Sequence, residues 1–329
     1  MSRKLILALL CAMLTPLAFG AGVSLAAFPG KPGPIAYSKT SADEVGEVGE
    51  VGEGTLERLG GLFVRGSRRG GQPRQLTLDP DDHSPSYSAD GRSIVFVGED
   101  EAGGSAIYVI GSDGADRRLV TSDGAGPRFF PSGRAIAFAR RVEGHTHIFT
   151  VRLDGSGLRQ LTDGPYDDSE PAVSPSGRRI AFTTDRDPSG RRDRSDIFSV
   201  GADGAGLRVM IDGPRNESEP DFAPSGRRLA FASNRGRGLG VFVARIDGSK
   251  VRRITPCNPF PPRCRSYVNP VFSPDGRQIA ALGLGRRTST VSLIDLGGDV
   301  TRTIDSGGTE EEGFGSHVGA PAWGPLPGG

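Results

Sequence analysis

Five stretches decide how this chain folds. They are Ser88-Ala89-Asp90-Gly91-Arg92 before Ile94-Val95-Phe96, Phe130-Pro131-Ser132-Gly133-Arg134 before Ile136-Ala137-Phe138, Ser174-Pro175-Ser176-Gly177-Arg178 before Ile180-Ala181-Phe182, Ala223-Pro224-Ser225-Gly226-Arg227 before Leu229-Ala230-Phe231, and Ser273-Pro274-Asp275-Gly276-Arg277 before Ile279-Ala280-Ala281. The apolar triplets begin about 42, 44, 49 and 50 residues apart. A period of this length marks one supersecondary unit per repeat, as in the blades of a propeller.

One unit, residues 127–163, shows the local logic. Pro127-Arg128-Phe129-Phe130 reads as a short strand. The next four residues turn it, because Pro presets φ and Gly takes a positive φ at no steric cost. Ile136-Ala137-Phe138-Ala139 and His147-Ile148-Phe149-Thr150-Val151 are strands two and three, Asp154-Gly155 is a hairpin turn, and Leu158-Arg159-Gln160-Leu161-Thr162 is strand four. Such a four-stranded sheet cannot bury both faces alone. Radial stacking against neighbours removes both from water.

A sixth unit begins at Pro34-Ile35-Ala36-Tyr37, with strands two, three and four but no first strand. At the other end Ala320-Pro321-Ala322-Trp323-Gly324-Pro325 is a first strand with nothing after it, and it matches Glu170 to Pro175 position for position. The fold class expected is therefore all-β: a six-bladed β-propeller of four-stranded antiparallel blades. It is closed by the C-terminal strand pairing with the N-terminal blade, which removes two raw sheet edges.

Composition agrees. Among 329 residues there are 50 glycines and 25 prolines, about 23% of the chain, which argues against a mostly helical protein. A net charge of +1 and a mean hydropathy of −0.30 exclude a polytopic membrane protein and a strongly basic nucleic-acid binder. Only four of the 40 basic residues are lysines, so the arginine excess reads as a whole-chain bias.

The N-terminus reads as a targeting segment. Arg3 and Lys4 precede the apolar run Leu5 to Leu17, and Ser24-Leu25-Ala26 fits a small-x-small cleavage site. An uncleaved anchor is the alternative. Lipidation at Cys11 is disfavoured, because Leu9 and Leu10 stand where small residues are needed. The expected organisation is a signal peptide over 1–26 and a single propeller domain over 27–329, exported to the periplasm, cell envelope or medium. Losing Arg3 and Lys4 takes the formal charge from +1 to −1. Export makes a Cys257–Cys264 disulfide the simplest reading of the two remaining thiols, stapling a short loop. The Val-Gly-Glu repeats within 41–61 read as a flexible acidic insert.

The recurring Pro-x-Phe/Trp-Ser-Pro-Ser/Asp-Gly-Arg-x-Ile-Ala-Phe, followed by Ile-Phe/Tyr-x-Val-x-x-x-Asp-Gly and Leu-Thr, resembles the WD-like repeat of TolB-type six-bladed β-propellers over roughly residues 34–325. TolB itself carries an additional N-terminal α/β domain, for which no length is left here. The resemblance is specific for fold and poor for function.

Strand alternation puts the Ser/Asp-Gly turns and the Asp-Gly turns at one end of the ring. Inter-blade connections and the loops between strands two and three lie at the other, which we call the variable face. Connections there carry Asp82, His83, Asp168, Glu170, Glu217, Glu219, Asn269 and His317. These are the candidate binding residues, an acidic channel mouth for a cation or a basic peptide segment. The same residues also read as polar loops whose Asp, Asn and Ser bond their own turns. His145 and His147 read as pointing to alternate faces of a strand, which argues against a shared metal.

No nucleophile elbow, His-Glu-x-x-His helix, Walker loop or dinucleotide fingerprint occurs. No catalytic residue, metal ligand set or cofactor is assigned. The reading favoured is a non-catalytic exported monomer that binds a protein or peptide partner, with no nucleic acid and no integral membrane segment. The alternative is a channel-centred hydrolase or lyase acting on a glycan or similar substrate, for which paired carboxylates would serve.

Overall fold

The computed structural model describes residues 28–44, 56–67, 70–186, 194–236, 238–255, 265–286, 288–308 and 317–326. The expected signal segment, Cys257, Cys264 and residues 45–55 of the acidic insert lie outside these. All regular structure among the described residues is strand, and no helix is long and apolar enough to cross a membrane.

Six antiparallel sheets stand around an axis. Blade two holds His83–Tyr87, Ser93–Glu99, Ser105–Gly111 and Arg118–Ser122; blade three holds Ala125–Phe129, Ala135–Val142, His145–Arg152 and Arg159–Gln160. Blade four holds Asp168–Val173, Arg179–Thr184, Asp196–Gly201 and Arg208–Ile211, and blade five Glu217–Phe222, Arg228–Ser233, Gly240–Arg245 and Arg252–Arg253. Blade six runs Ser266–Phe272, Gln278–Leu284, Thr288–Asp295 and Val300–Gly308. Blade one combines both ends of the chain: Pro32–Glu44, Leu56–Gly66 and Arg74–Gln75 are joined by Ala322–Pro325 and His317–Val318.

The second strand of each blade shows why blades must stack. Ile136, Ala137 and Phe138 are all fully buried, as are Ile180, Ala181 and Phe182, and Leu229, Ala230 and Phe231. Successive strand residues face opposite ways, so burial of three in a row means that both faces of the sheet are covered. The turns before them follow the expected chemistry. Gly91, Gly133, Gly177, Gly226 and Gly276 take φ between 65° and 69°, where a β-carbon would be strained.

Arginine ties the blades at their outer edge. The fourth-strand Arg74 donates to the carbonyls of Ser112 and Asp113 in the next blade at 2.7 and 2.9 Å, Arg118 to Leu153 at 2.5 Å, Arg252 to Leu296 at 2.7 Å, and Arg159 to Asp203. Arg302 of blade six donates to the Ser67 carbonyl of blade one at 2.6 Å, so the same tie closes the ring. The arginine excess is in part a structural device.

Closure at the inner edge is the pairing of Trp323 with Ile35 and of Ala322 with Ala36. Trp323 is 3% exposed within the largest apolar cluster. Gly324 lies flat against Tyr87, where an added β-carbon would stand 2.7 Å from the ring. Tyr37 of blade one donates to Asp305 of blade six at 2.7 Å. Burial and that carboxylate both push the phenol well above its ordinary pKa.

Candidate functional site

Each inner strand is organised around one proline: Pro85, Pro127, Pro171, Pro220, Pro270 and Pro321. The residue just before it takes a positive φ in five blades, at Ser84, Gly126, Glu170, Glu219 and Asn269. The pairing register with strand two slips at the same place in these blades. These five inner strands therefore carry a bulge, a device that re-aims side chains near functional sites. A non-glycine residue held at such a φ stores backbone strain.

Counting from that proline sorts the sequence candidates into tiers. Three positions before it stand Asp82, Asp168 and Glu217, all fully buried. Each is held by an arginine. Arg117 lies 3.2 Å from Asp82, Arg186 2.7 Å from Asp168, and Arg235 2.8 Å from Glu217. Arg186 and Arg235 lie just beyond strand two, so the two loop classes of the variable face do meet. The guanidiniums also stack on rings: Arg117 sits 4.4 Å from the Tyr108 centroid, Arg186 4.5 Å from Tyr166, and Arg235 5.4 Å from Phe231. Burial pushes Asp82 up to about 6 and Glu217 up to about 7, although the nearby arginines pull both back. These three carboxylates brace loops rather than offer open charge.

One position before the proline stand Glu170 and Glu219, from adjacent blades. The Glu170 carboxylate accepts from the Thr183 hydroxyl at 2.6 Å and from the Glu219 backbone N–H at 2.9 Å. The Glu219 carboxylate accepts in turn from the backbone N–H of Asn269. Among the described residues neither glutamate is in a salt bridge. Both keep partial solvent contact although they lie deep in the molecule. Desolvation raises the pKa of both, Glu219 well above its usual range because the neighbouring Glu170 charge adds to the effect. Like charges this close favour a state in which the pair holds a proton.

Below them lies a centre that sequence reasoning missed. Arg128 and Asp221, one position after the proline, are fully buried. Asp221 accepts from the Phe272 backbone N–H at 2.7 Å, and burial raises it well above its usual range. Burial pulls Arg128 down to about 9, against the opposing pull of Asp221 and Glu170. Arg128 donates from Nη1 to the Pro127 carbonyl at 2.6 Å, while its Nε and Nη2, and Oδ1 of Asp221, have no hydrogen-bond partner among the described residues. The spacing from the repeated proline was the signal for these two.

The other candidates scatter. His83 is half-buried, with Nδ1 2.9 Å from the Ser84 hydroxyl, and burial lowers its pKa. Asn269 is buried. His317 pairs with Thr40 along the backbone. His145 and His147 do not divide between two faces, as the sequence reading expected. Residues two apart on a strand share a side, and both line one cleft of about 410 Å³.

The sequence model of the TolB β-propeller domain matches residues 61–191. An uncharacterized protein of Agrobacterium fabrum, Atu1656, is 35% identical over 119 residues, covering 35% of this chain and 40% of that protein. Dipeptidyl-peptidase 5 of Porphyromonas endodontalis is 26% identical over 146 residues, 43% of this chain and 18% of that protein. The chain thus spans less than half the length of either relative. The crystal structure of TolB from Acinetobacter baumannii superimposes with a TM-score of 0.66 at 21% identity, over 89% of this chain and 67% of that one, which is a likeness of fold.

Proposed function

We propose, from the premise that the chain is a TolB-type six-bladed β-propeller, that it is an exported, non-catalytic module that binds a protein or peptide partner at its variable face. A basic side chain of the partner enters the channel mouth beside Glu170 and Glu219. One observation carries this reading. Among the described residues, Asp82, Asp168 and Glu217 are each paired with an arginine, whereas Glu170 and Glu219 keep solvent contact and are in no salt bridge. A cation placed there relieves their repulsion and meets acceptors already held by the next blade's N–H groups.

The test is recovery of partners from envelope or culture medium by the wild type and by the Glu170→Gln, Glu219→Gln double variant. The amides keep an acceptor oxygen and remove the pair's desolvated charge, so the melting temperature should hold or rise while the partner is lost. Equal recovery by the variant would defeat the reading.

A second reading rests on the same pair. A carboxyl whose pKa is raised by burial and a neighbouring charge is suited to act as a general acid, and one relative is a peptidase. Turnover of a glycan or peptide by the wild type, lost in either single glutamine variant, would favour it.

A further inference from the structure

We propose that His145 and His147 form a two-imidazole binding site for a divalent transition-metal ion of the copper, nickel or zinc kind, on the outer part of blade three. It adjoins the mouth carboxylate Asp168, which stands behind the His147 ring, and departs from the sequence expectation that the two rings point apart. The hairpin that carries them turns through Glu143 and Gly144, both at positive φ (51° and 91°). That turn pairs His145 with Val142 and His147 with Arg140, which fixes both imidazoles on one side of the strand. The cleft they share is also lined by Glu143, Gln160 and Asp163.

The orientation of each ring is the telling feature. Nδ1 of His145 and Nδ1 of His147 are both shut away from solvent and make no hydrogen bond among the described residues. Each instead sits beside a carboxylate: Asp167 Oδ1 is 3.9 Å from the first and Asp168 Oδ2 is 4.0 Å from the second. Those carboxylates are fixed by contacts of their own. Asp167 accepts from the Thr146 backbone N–H at 2.8 Å, between the two histidines. Asp168 is held by Arg186 and by the Thr184 hydroxyl at 2.6 Å. A carboxylate behind Nδ1 sets the tautomer, orients the ring and leaves Nε2 as the ligand, which is the arrangement that supports histidine in metal sites. Here a carboxylate stands behind each of two rings two residues apart, at 3.9 and 4.0 Å, so that closing to hydrogen-bond distance when the ion binds would leave Nε2 of each ring free for it.

Imidazole suits copper, nickel and zinc, whereas calcium and magnesium require oxygen cages. Among the described residues no three such side chains are already gathered around one point. Water, or rotation of Glu143 or Asp163 in the same cleft, therefore completes the coordination. The ion would bridge the hairpin of blade three to the connection that starts blade four.

The experiment is calorimetric titration of the untagged full-length protein with copper(II), nickel(II), zinc and calcium chlorides. One equivalent of copper(II), nickel(II) and zinc should bind, copper tightest, with no heat for calcium. His145→Ala should weaken binding by at least about tenfold, and Asp167→Asn by about tenfold through its ring-orienting role, with the melting temperature of the metal-free protein unchanged. His147 is buried, so His147→Ala is read only if it remains folded; His145→Ala carries the test otherwise. Absence of a saturable equivalent, or equal affinity in His145→Ala, would overturn the site.

Discussion

Removing the Trp323 side chain should loosen the ring at its seam. A tryptophan buries about 150–250 Å², worth about 4–6 kcal/mol at about 25 cal/mol per Å². Trp323 is 3% exposed, so nearly all of that is at stake. Against it stands the indole N–H, which is buried without a partner among the described residues. An unsatisfied donor costs about 1–3 kcal/mol, and that cost goes with the side chain. The net expectation for Trp323→Ala is a loss of about 3 kcal/mol, within the usual range for emptying a large core site. Thermal unfolding should fall by about 5–10 °C, given the few degrees per kcal/mol typical of larger domains. Trp323→Phe should recover most of the loss. A shift under about 2 °C, or equal behaviour of the alanine and phenylalanine variants, would mean that Trp323 is not packed between Ile35 and its neighbours and that the closure is wrong.

Other expectations follow from the same packing. Glu217 is raised to about 7, so the folded state holds more protons than the unfolded chain between about pH 4 and 7 and stability falls as pH rises through that window. Glu217→Gln should gain on the wild type by up to about 3 kcal/mol between pH 4.5 and 7.5, at about 1.4 kcal/mol per pKa unit; parallel melting curves across pH would refute this. Gly324→Ala puts a β-carbon 2.7 Å from the Tyr87 ring and should cost about 1–3 kcal/mol by overpacking; an unchanged denaturation midpoint would contradict it. Arg302→Ala removes the blade-six tie to Ser67 and should cost about 1 kcal/mol, read in the same assay.

The architecture was readable because it is written in local chemistry. A glycine that must take a positive φ recurs in five units and an apolar triplet buried on both faces in all six, and neither depends on distant residues. The stray first strand around Trp323 was legible for the same reason, since it repeats a pattern complete elsewhere. The site was legible only in outline. Asp82, Asp168 and Glu217 look like Glu170 and Glu219 in sequence, yet Arg117, Arg186 and Arg235 cancel the first three from 18 or 35 positions away. Arginine partners at such separations leave no local mark, so bracing arginines read as compositional bias. The Arg128–Asp221 centre was hidden differently: its two members come from blades three and five. His145 and His147 were misjudged because adjacent strand residues alternate, while residues two apart do not.

The most direct test of the functional account is titration of a short lysine- and arginine-rich peptide into the wild type and the Glu170→Gln, Glu219→Gln variant at low ionic strength. The account predicts saturable binding to the wild type that weakens with added salt and is lost in the variant. Equal binding by both proteins would contradict it.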